Sequence, residues 1–440
     1  MKFGKRKEEK ALSIVMKLND AGYRAYFAGG CVRDRIMGRI PVDYDIATDA
    51  QPDDVKRLFA STIPVGACFG VTMVLVDDDR FEIAVFRKDE SYSNGRRPDA
   101  ISFSTPKEDA LRRDFTINGM FYDPFEEKII DFVGGCKDID KRLIRTIGDP
   151  VKRFEEDALR LLRGVRFAAS FNFELEKKTF EAIKTMAQSL NRISQERIGD
   201  ELHKILMEKH ADRALYLLKE TGLLKIVLPE VDVLSEVEQS LEYHPEGNAF
   251  EHTAKILGLL ENPTPSLAWA VLLHDVGKKD AKEASASGAG FIDHAKVGAE
   301  KAVKILNRLR LSIALIKRVE PLVRHHMRFR DVRKMKKSTL KRFLGLANFR
   351  EHLELERLDS LASNGDLSNY TFASERFEDL SEEELHPKAL LTGDSLIAWG
   401  YKPGPLFNDI LSLVMEKQLS GKLSTSEEAK AFVLKKFKRP

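Results

Sequence analysis

The chain has 440 residues, 43% of them hydrophobic and 32% charged, with a formal net charge of +3. At roughly 100–200 residues per domain this length calls for about two to four domains, and the composition suits a soluble globular protein able to bury cores. The near-balanced charge argues neither for nor against a nucleic-acid partner, while three cysteines (Cys31, Cys68, Cys136) without a C-x-x-C pair argue against a disulfide framework and a Cys-ligated zinc site, so a reducing, cytoplasmic setting is expected.

The opening MKFGKRKEEK leads into an amphipathic helix and lacks the apolar core and cleavage site of a signal peptide. No apolar run approaches the roughly 18 residues of a membrane span. Short β-like runs follow: YRAYFAGG, DYDIAT, then VTMVLV and FEIAVF, which the acidic turn Asp77 to Arg80 joins as a hairpin. INGMFYD and KIIDFVGG complete a small mixed sheet with a few helices. After about Ile147 apolar residues recur every three or four positions, as in DALRLLRGVRFAA and ERIGDELHKIL, so the rest is expected to be almost wholly helical. Breaks at Pro229, His244 to Gly247, Pro263 to Pro265 and Lys402 to Pro405 divide it, and Ala284 to Gly290 is a short loop. No internal repeat is present. Arg328 to Arg342 and the tail KKFKRP are rich in Lys and Arg, a pattern that serves as a solvated face or as a polyanion contact.

Strand YRAYFAGG ends in Gly29-Gly30, with Arg33 in the helix that follows. Two glycines let the backbone approach a polyphosphate, and helix-start amides with an arginine neutralise it; a plain turn is the alternative. Asp43 and Asp45 stand two apart in an extended segment, which predicts both carboxylates on one strand face. Like charges so placed are destabilising unless a cation bridges them, and hard oxygen ligands suit Mg2+. Metal-assisted phosphoryl transfer uses such a pair. A solvent-facing acidic pair is the alternative here, as it is for Glu82, a candidate third carboxylate on the hairpin.

Gly-Gly-x-Val-Arg-Asp followed by Asp-x-Asp resembles the nucleotidyltransferase head shared by bacterial class II tRNA nucleotidyltransferases and poly(A) polymerases. Arg112 to Gly119 (RRDFTING) resembles the motif that handles ribose and triphosphate in that family, which implies roles for Arg113, Asp114 and Asn118. Ile147 to Pro150 with Arg153 to Arg163 resembles the base-selecting neck, and Arg192-Ile193-Ser194 with Glu196-Arg197 resembles its supporting helix. Asp157, Arg160 and Arg163 are predicted on one helix, where three-residue spacing keeps them on one face. A carboxylate only accepts hydrogen bonds and a guanidinium only donates them. Asp157 with Arg160 therefore complements C and A, which offer an amino donor beside a ring-nitrogen acceptor, and opposes U and G. An ordinary salt-bridged helix surface is the alternative. Phe86 to Pro98 resembles the flexible loop of enzymes that add the terminal A, and the basic, apolar signature expected of a poly(A) polymerase is missing.

Further on, His252, Leu273-His274-Asp275-Val276-Gly277-Lys278, His294, His325-His326 and Asp359 occur in the order of the HD phosphohydrolase superfamily. Histidine and aspartate are good ligands for divalent transition metals. The resemblance implies a metal at His252, His274, Asp275, His294 and Asp359, with a degenerate RNA-holding scaffold as the alternative. His325 or His326 is a candidate for a second metal or a surface residue, and Asp366 competes with Asp359. Thr392 to Asp394 and Gly400 to Pro405 resemble the tail of family members that carry an HD domain.

The expected architecture is α+β: a small mixed-sheet catalytic head (1–146), a helical base-recognition neck (147–208), an HD-type helical domain (209–375) and a helical tRNA-binding tail (376–440). The expected activity is template-independent addition of C, C and A to the tRNA 3′ end from CTP and ATP with Mg2+, plus metal-dependent phosphohydrolysis by the HD domain. No membrane and no obligate protein partner are expected. An A-adding or CC-adding partial enzyme or a poly(A) polymerase is the nearest rival. An HD phosphohydrolase with an RNA-binding head is the rival of another class, and intact Asp43 and Asp45 oppose it.

Overall fold

The computed structural model describes residues 2–63, 70–89, 101–239, 247–284 and 293–437. Cys68, most of the expected A-addition loop, the break at His244, the loop Ala284 to Gly290 and the last residues of the basic tail lie outside those described residues or at their edge. The chain forms two compact units, Met1–Asp232 and Val233–Pro440.

In the first unit, helix α1 (Lys2–Asp20) precedes a seven-stranded mixed sheet. Its strands are β1 (Ala25–Ala28), β2 (Asp45–Thr48), β3 (Thr62–Ile63), β4 (Val71–Val76), β5 (Asp79–Val85), β6 (Met120–Asp123) and β7 (Lys128–Asp131). The spatial order is β3-β4-β5-β2-β1-β6-β7. β1 runs antiparallel to β2 with Ala28 opposite Asp45, whereas β2 runs parallel to β5 with Ile46 opposite Ile83. Paired residues of parallel strands share a face, so Asp45 and Glu82, each one residue earlier, leave the sheet on the same side. The centre of the sheet is apolar: Ala28, Ala47, Phe86, Ala110 and Phe121 form one buried cluster. The β4–β5 pair is the expected hairpin, turning at Asp77 with φ 52°. The short edge strand β3 went unanticipated, because two residues carry no periodicity.

Helix α2 (Gly30–Ile36) follows the Gly-Gly turn. Beyond the sheet come α3 (Pro150–Glu156), α4 (Leu159–Ser170) and α5 (Gln195–Met207). The single helix predicted across Glu156 to Arg163 is therefore two. Asp157 is extended (φ −153°, ψ 104°), and its Oδ1 accepts from the Leu159 amide at 3.1 Å. A short acidic side chain that satisfies an amide two residues on competes with helix continuation.

The second unit is helical. α6 (Ala249–Gly258), α7 (Pro265–Leu273), α8 (His294–Arg308), α9 (Ile313–His325) and α10 (Phe349–Ala362) carry its polar centre. α7 is buried on all sides from Ser266 to Leu273, as expected of a helix with no polar face. Two further cores follow, one around Phe329, Phe343 and Phe349 and one around Leu396, Tyr401 and Ile410. Among the described residues no helix is long and apolar enough to cross a membrane.

Candidate functional site

Gly29 turns the chain out of β1 with φ +72° and ψ −123°, a conformation that glycine adopts and L side chains rarely do. A Cβ there would lie 3.0 Å from Arg113 Nη1 and 4.0 Å from Asp45 Oδ2. The glycine thus keeps open a gap between a guanidinium and a carboxylate. Arg113 is anchored by two bonds to buried Asp109, at 3.1 and 3.0 Å, one helical turn before it. Asp45 keeps an exposed side chain, yet the protein packed around its carboxyl and the charges of Glu82 and Asp43 push it up to about 6, with Arg113 opposing. Asp45, with Glu82 and Asp43 near enough to act on it, belongs to a set of hard oxygens that fits a divalent cation.

β2 begins at Asp45, so Asp43 lies just before the strand; both aspartates are exposed and Tyr44 between them is buried. Lys7 on α1 donates to Asp43 Oδ1 at 2.6 Å and to the Val42 carbonyl at 2.7 Å.

A chain of charged hydrogen bonds joins the Gly-Gly helix to the helices beyond the sheet. Arg33 Nη1 donates to Asn118 Oδ1 (2.7 Å), Asn118 Nδ2 to Asp114 Oδ1 (3.3 Å), and Arg163 Nε to Asp114 Oδ2 (2.8 Å). The Arg33 guanidinium also lies 4.4 Å from the Phe171 ring centre. Burial works against the charge of Asp114, but Arg163 and Arg160 hold its carboxyl down at about 2. Arg160 donates to Glu156 Oε2 (2.5 Å) and to the Arg153 carbonyl (2.9 Å), while Asp157 accepts from Arg197 Nη2 (2.7 Å). Asp157 therefore stands outside the helix that carries Arg160 and Arg163, which lie three residues apart on α4 and both act on Asp114. Asp109 escaped the sequence reading, although its place four residues before Arg113 is a helical signal for it.

The second unit encloses a polar centre. His252, His274 and Asp275 are each 1% exposed, and His294 and His326 4%. Their ligand atoms form two groups that share Asp275: His252, His274 and Asp275, then Asp275, His294 and His326. His252 Nε2 lies 2.9 Å from Asp359 Oδ1, which attaches Asp359 to the first group. His252, His274, Asp275, His294 and Asp359 are expected around one ion, whereas the structure sets His294 beside His326, Nε2 to Nε2 at 3.3 Å. Of His325 and His326, the candidates for a second metal or for a surface residue, His326 is the one that joins the centre. It continues the buried stripe Val319, Val323 of α9 at three- and four-residue spacing, the signal that separates it from half-buried His325. Asp366 instead binds the amide of Ser368 at an exposed turn.

The tautomers suit a metal. His274 Nδ1 donates to the Val271 carbonyl (2.8 Å) and His326 Nδ1 to that of Val323 (2.7 Å), so in the neutral rings both Nε2 lone pairs face the centre. Burial, with His274 and His294 beside it, pushes His326 down to about 3 and keeps it neutral. Among the described residues buried His274 Nε2 makes no hydrogen bond of good geometry, although Asp275 Oδ2 is 3.2 Å away, and a cation would serve both atoms. Lys278, with Nζ 2.7 Å from Asp275 Oδ2, supplies one positive charge and was not singled out from the sequence. Gly277 is required here, since a Cβ would stand 2.2 Å from the His294 carbonyl.

Residues 25–145 match the family model "Poly A polymerase head domain", 172–234 match "Probable RNA and SrmB- binding site of polymerase A", and 249–348 match "HD domain". A CCA-adding enzyme of Bacillus pumilus is 38% identical over 310 residues, 70% of this chain and 68% of that one. One of Bacillus subtilis is 45% identical over 215 residues, 49% of this chain and 54% of that one. The crystal structure of the Bacillus stearothermophilus CCA-adding enzyme in complex with CTP matches 99% of this chain and 98% of its own, with a TM-score of 0.75 at 27% identity. A Thermotoga maritima CCA-adding enzyme solved with tRNA shares the fold at 20% identity and a TM-score of 0.57, over 97% of this chain and 94% of that one.

Proposed function

The chain belongs to the CCA-adding enzyme family, and from that premise we propose that it completes the 3′ end of tRNA, adding C, C and A from CTP and ATP with release of pyrophosphate. The observation that carries this reading is the crowding of Asp45, Glu82 and Asp43 beside the gap that Gly29 keeps open next to Arg113. The tRNA 3′-hydroxyl attacks the α-phosphate, so no protein nucleophile is needed. The family implies a divalent metal. We assign Mg2+ to Asp43, Asp45 and Glu82, where it would neutralise the triphosphate and activate the hydroxyl. Gly29, Gly30, Arg33 and Arg113 cradle the phosphates, while Asp114 and Asn118 face the ribose. Asp157 and Arg160 read the amino and ring-nitrogen edge of C and A, Arg163 completes the nucleotide pocket, and Glu156 and Arg197 orient the reading pair.

In this account 1–146 is the catalytic head, 147–208 the neck, 209–375 the HD domain, and 376–440 a tail that holds tRNA by backbone and shape. A tRNA-processing role accords with a cytoplasmic setting. Three tRNAs, ending before CCA, after the first C and after the second, each given CTP or ATP separately, test the reading. CTP should extend the first by two residues and the second by one, and ATP the third by one. Extension by A alone or by C alone would mark a partial enzyme, and no extension would overturn the reading.

A second activity rests on the buried histidine–aspartate centre. His252, His274, Asp275 and Asp359 would hold one transition metal and Asp275, His294 and His326 another, supplying an activated water for hydrolysis of a phosphate ester. Lys278 lies against the shared Asp275, 2.7 Å from its Oδ2.

A further inference from the structure

Helix α1 has no part in the chemistry above, yet one stretch of it reaches both carboxylate-bearing segments of the head. Lys7 holds Asp43 and the Val42 carbonyl. Glu8 takes Arg35 Nη1 at 2.8 Å, on α2 in the same connection between β1 and β2. Lys10 donates to Asp79 at 2.7 Å and pairs with Asp77 at 3.0 Å, on the turn that leads into β5 and Glu82. The helix therefore braces the approach to Asp43 and the approach to Glu82 from one side.

The Lys7 contact differs from an ordinary surface pair. Asp43 has 78% of its side chain exposed, whereas Lys7 has only 23%. A free lysine costs side-chain entropy to immobilise, and here that cost is offset by two hard oxygens, one carboxylate and one backbone carbonyl. Those are the donor types that a hard divalent cation takes. The ammonium also adds a positive charge, beside that of Arg113, to a site where Asp43 and Glu82 act on Asp45. We propose that Lys7 is a stand-in cation, which neutralises and holds Asp43 in the metal-free protein and is displaced when a divalent metal binds there.

This inference rests on reading Asp43 and Asp45 as metal carboxylates, so its test separates the two. Mn2+ binding to the full-length, nucleotide-free protein is followed by EPR, and the portion lost on Asp45→Asn is the head site. In that portion Lys7→Ala and Lys7→Met, the latter keeping the aliphatic stem on α1, should bind Mn2+ about two- to five-fold tighter, the range set by removing one exposed competing ion pair. Lys7→Arg should bind as the parent does. Unchanged or weaker binding in both Lys7→Ala and Lys7→Met would overturn the proposal and leave Lys7 a brace for α1. If Asp45→Asn removes no Mn2+ at all, the metal reading of the head fails first and the proposal falls with it.

Discussion

Replacing Arg163 with methionine isolates what the Asp114–Arg163 pair does for the join between RRDFTING and α4. Asp114 is 9% exposed and takes Arg163 through Nε at 2.8 Å and Nη2 at 2.6 Å. Burial alone would raise its carboxyl above the ordinary value of 3.8, but Arg163 and Arg160 bring it to about 2. A depression of nearly two pK units corresponds to roughly 2–3 kcal/mol at ~1.4 kcal/mol per unit. Because the folded value is depressed, that stabilisation is complete above about pH 4 and is lost as pH falls toward about 2. At pH 7, Arg163→Met strands a buried carboxylate and should destabilise this region by about 2–4 kcal/mol. Asp114→Asn can keep the contacts to Phe115 and Asn118, so the double variant should recover part of the loss, with a coupling energy of ~1.5–3 kcal/mol. Hydrogen exchange under urea, read in peptides covering 112–122 and 158–170, measures this. Both tryptophans, Trp269 and Trp399, lie in Val233–Pro440, so fluorescence follows the other unit separately. Single-variant effects that add to within about 0.5 kcal/mol would show that the pair does not couple the two segments.

Gly29→Ala, which combines a positive φ with a Cβ 3.0 Å from Arg113 Nη1, should strain the turn and displace the guanidinium; a raised KM for CTP checks this, and an unchanged KM would separate Arg113 from nucleotide binding. His274→Ala should abolish metal-dependent phosphate-ester hydrolysis while sparing CTP incorporation; absence of any such hydrolysis in the parent protein would favour a scaffold. Glu356, on α10, is pushed up to about 8 by burial and by the charge of Asp359, so it opposes folding increasingly as pH rises from about 4.5 to 8. Glu356→Gln should therefore raise the Tm of the tryptophan-reported transition more at pH 8 than at pH 5, and an equal gain at both would refute the assignment.

Local pattern carried the head a long way. The Gly-Gly turn, the β4–β5 hairpin and the onset of helix after Ile147 all follow from turn chemistry and periodicity. Pattern failed where a distant partner competes with the local rule. Asp157 looks helical by spacing, but Arg197, forty residues away, and the Leu159 amide hold it in an extended break. The contact of Lys7 with Asp43 is invisible to local pattern for the same reason, since the two stand 36 residues apart. In the second unit the HD order announces the centre, yet the division of its ligands depends on how α8 and α9 bring His294 to His326, a contact 32 residues apart in sequence.

Asp45→Asn tests the catalytic account most directly, because it keeps the size of the side chain at the head of β2 and removes only its charge. With circular dichroism unchanged, the account expects CTP incorporation into tRNA lacking CCA to fall by at least about a thousandfold, the several kcal/mol typical of losing a shared metal ligand. Incorporation within a few-fold of the parent would contradict the claim that this carboxylate anchors the reaction.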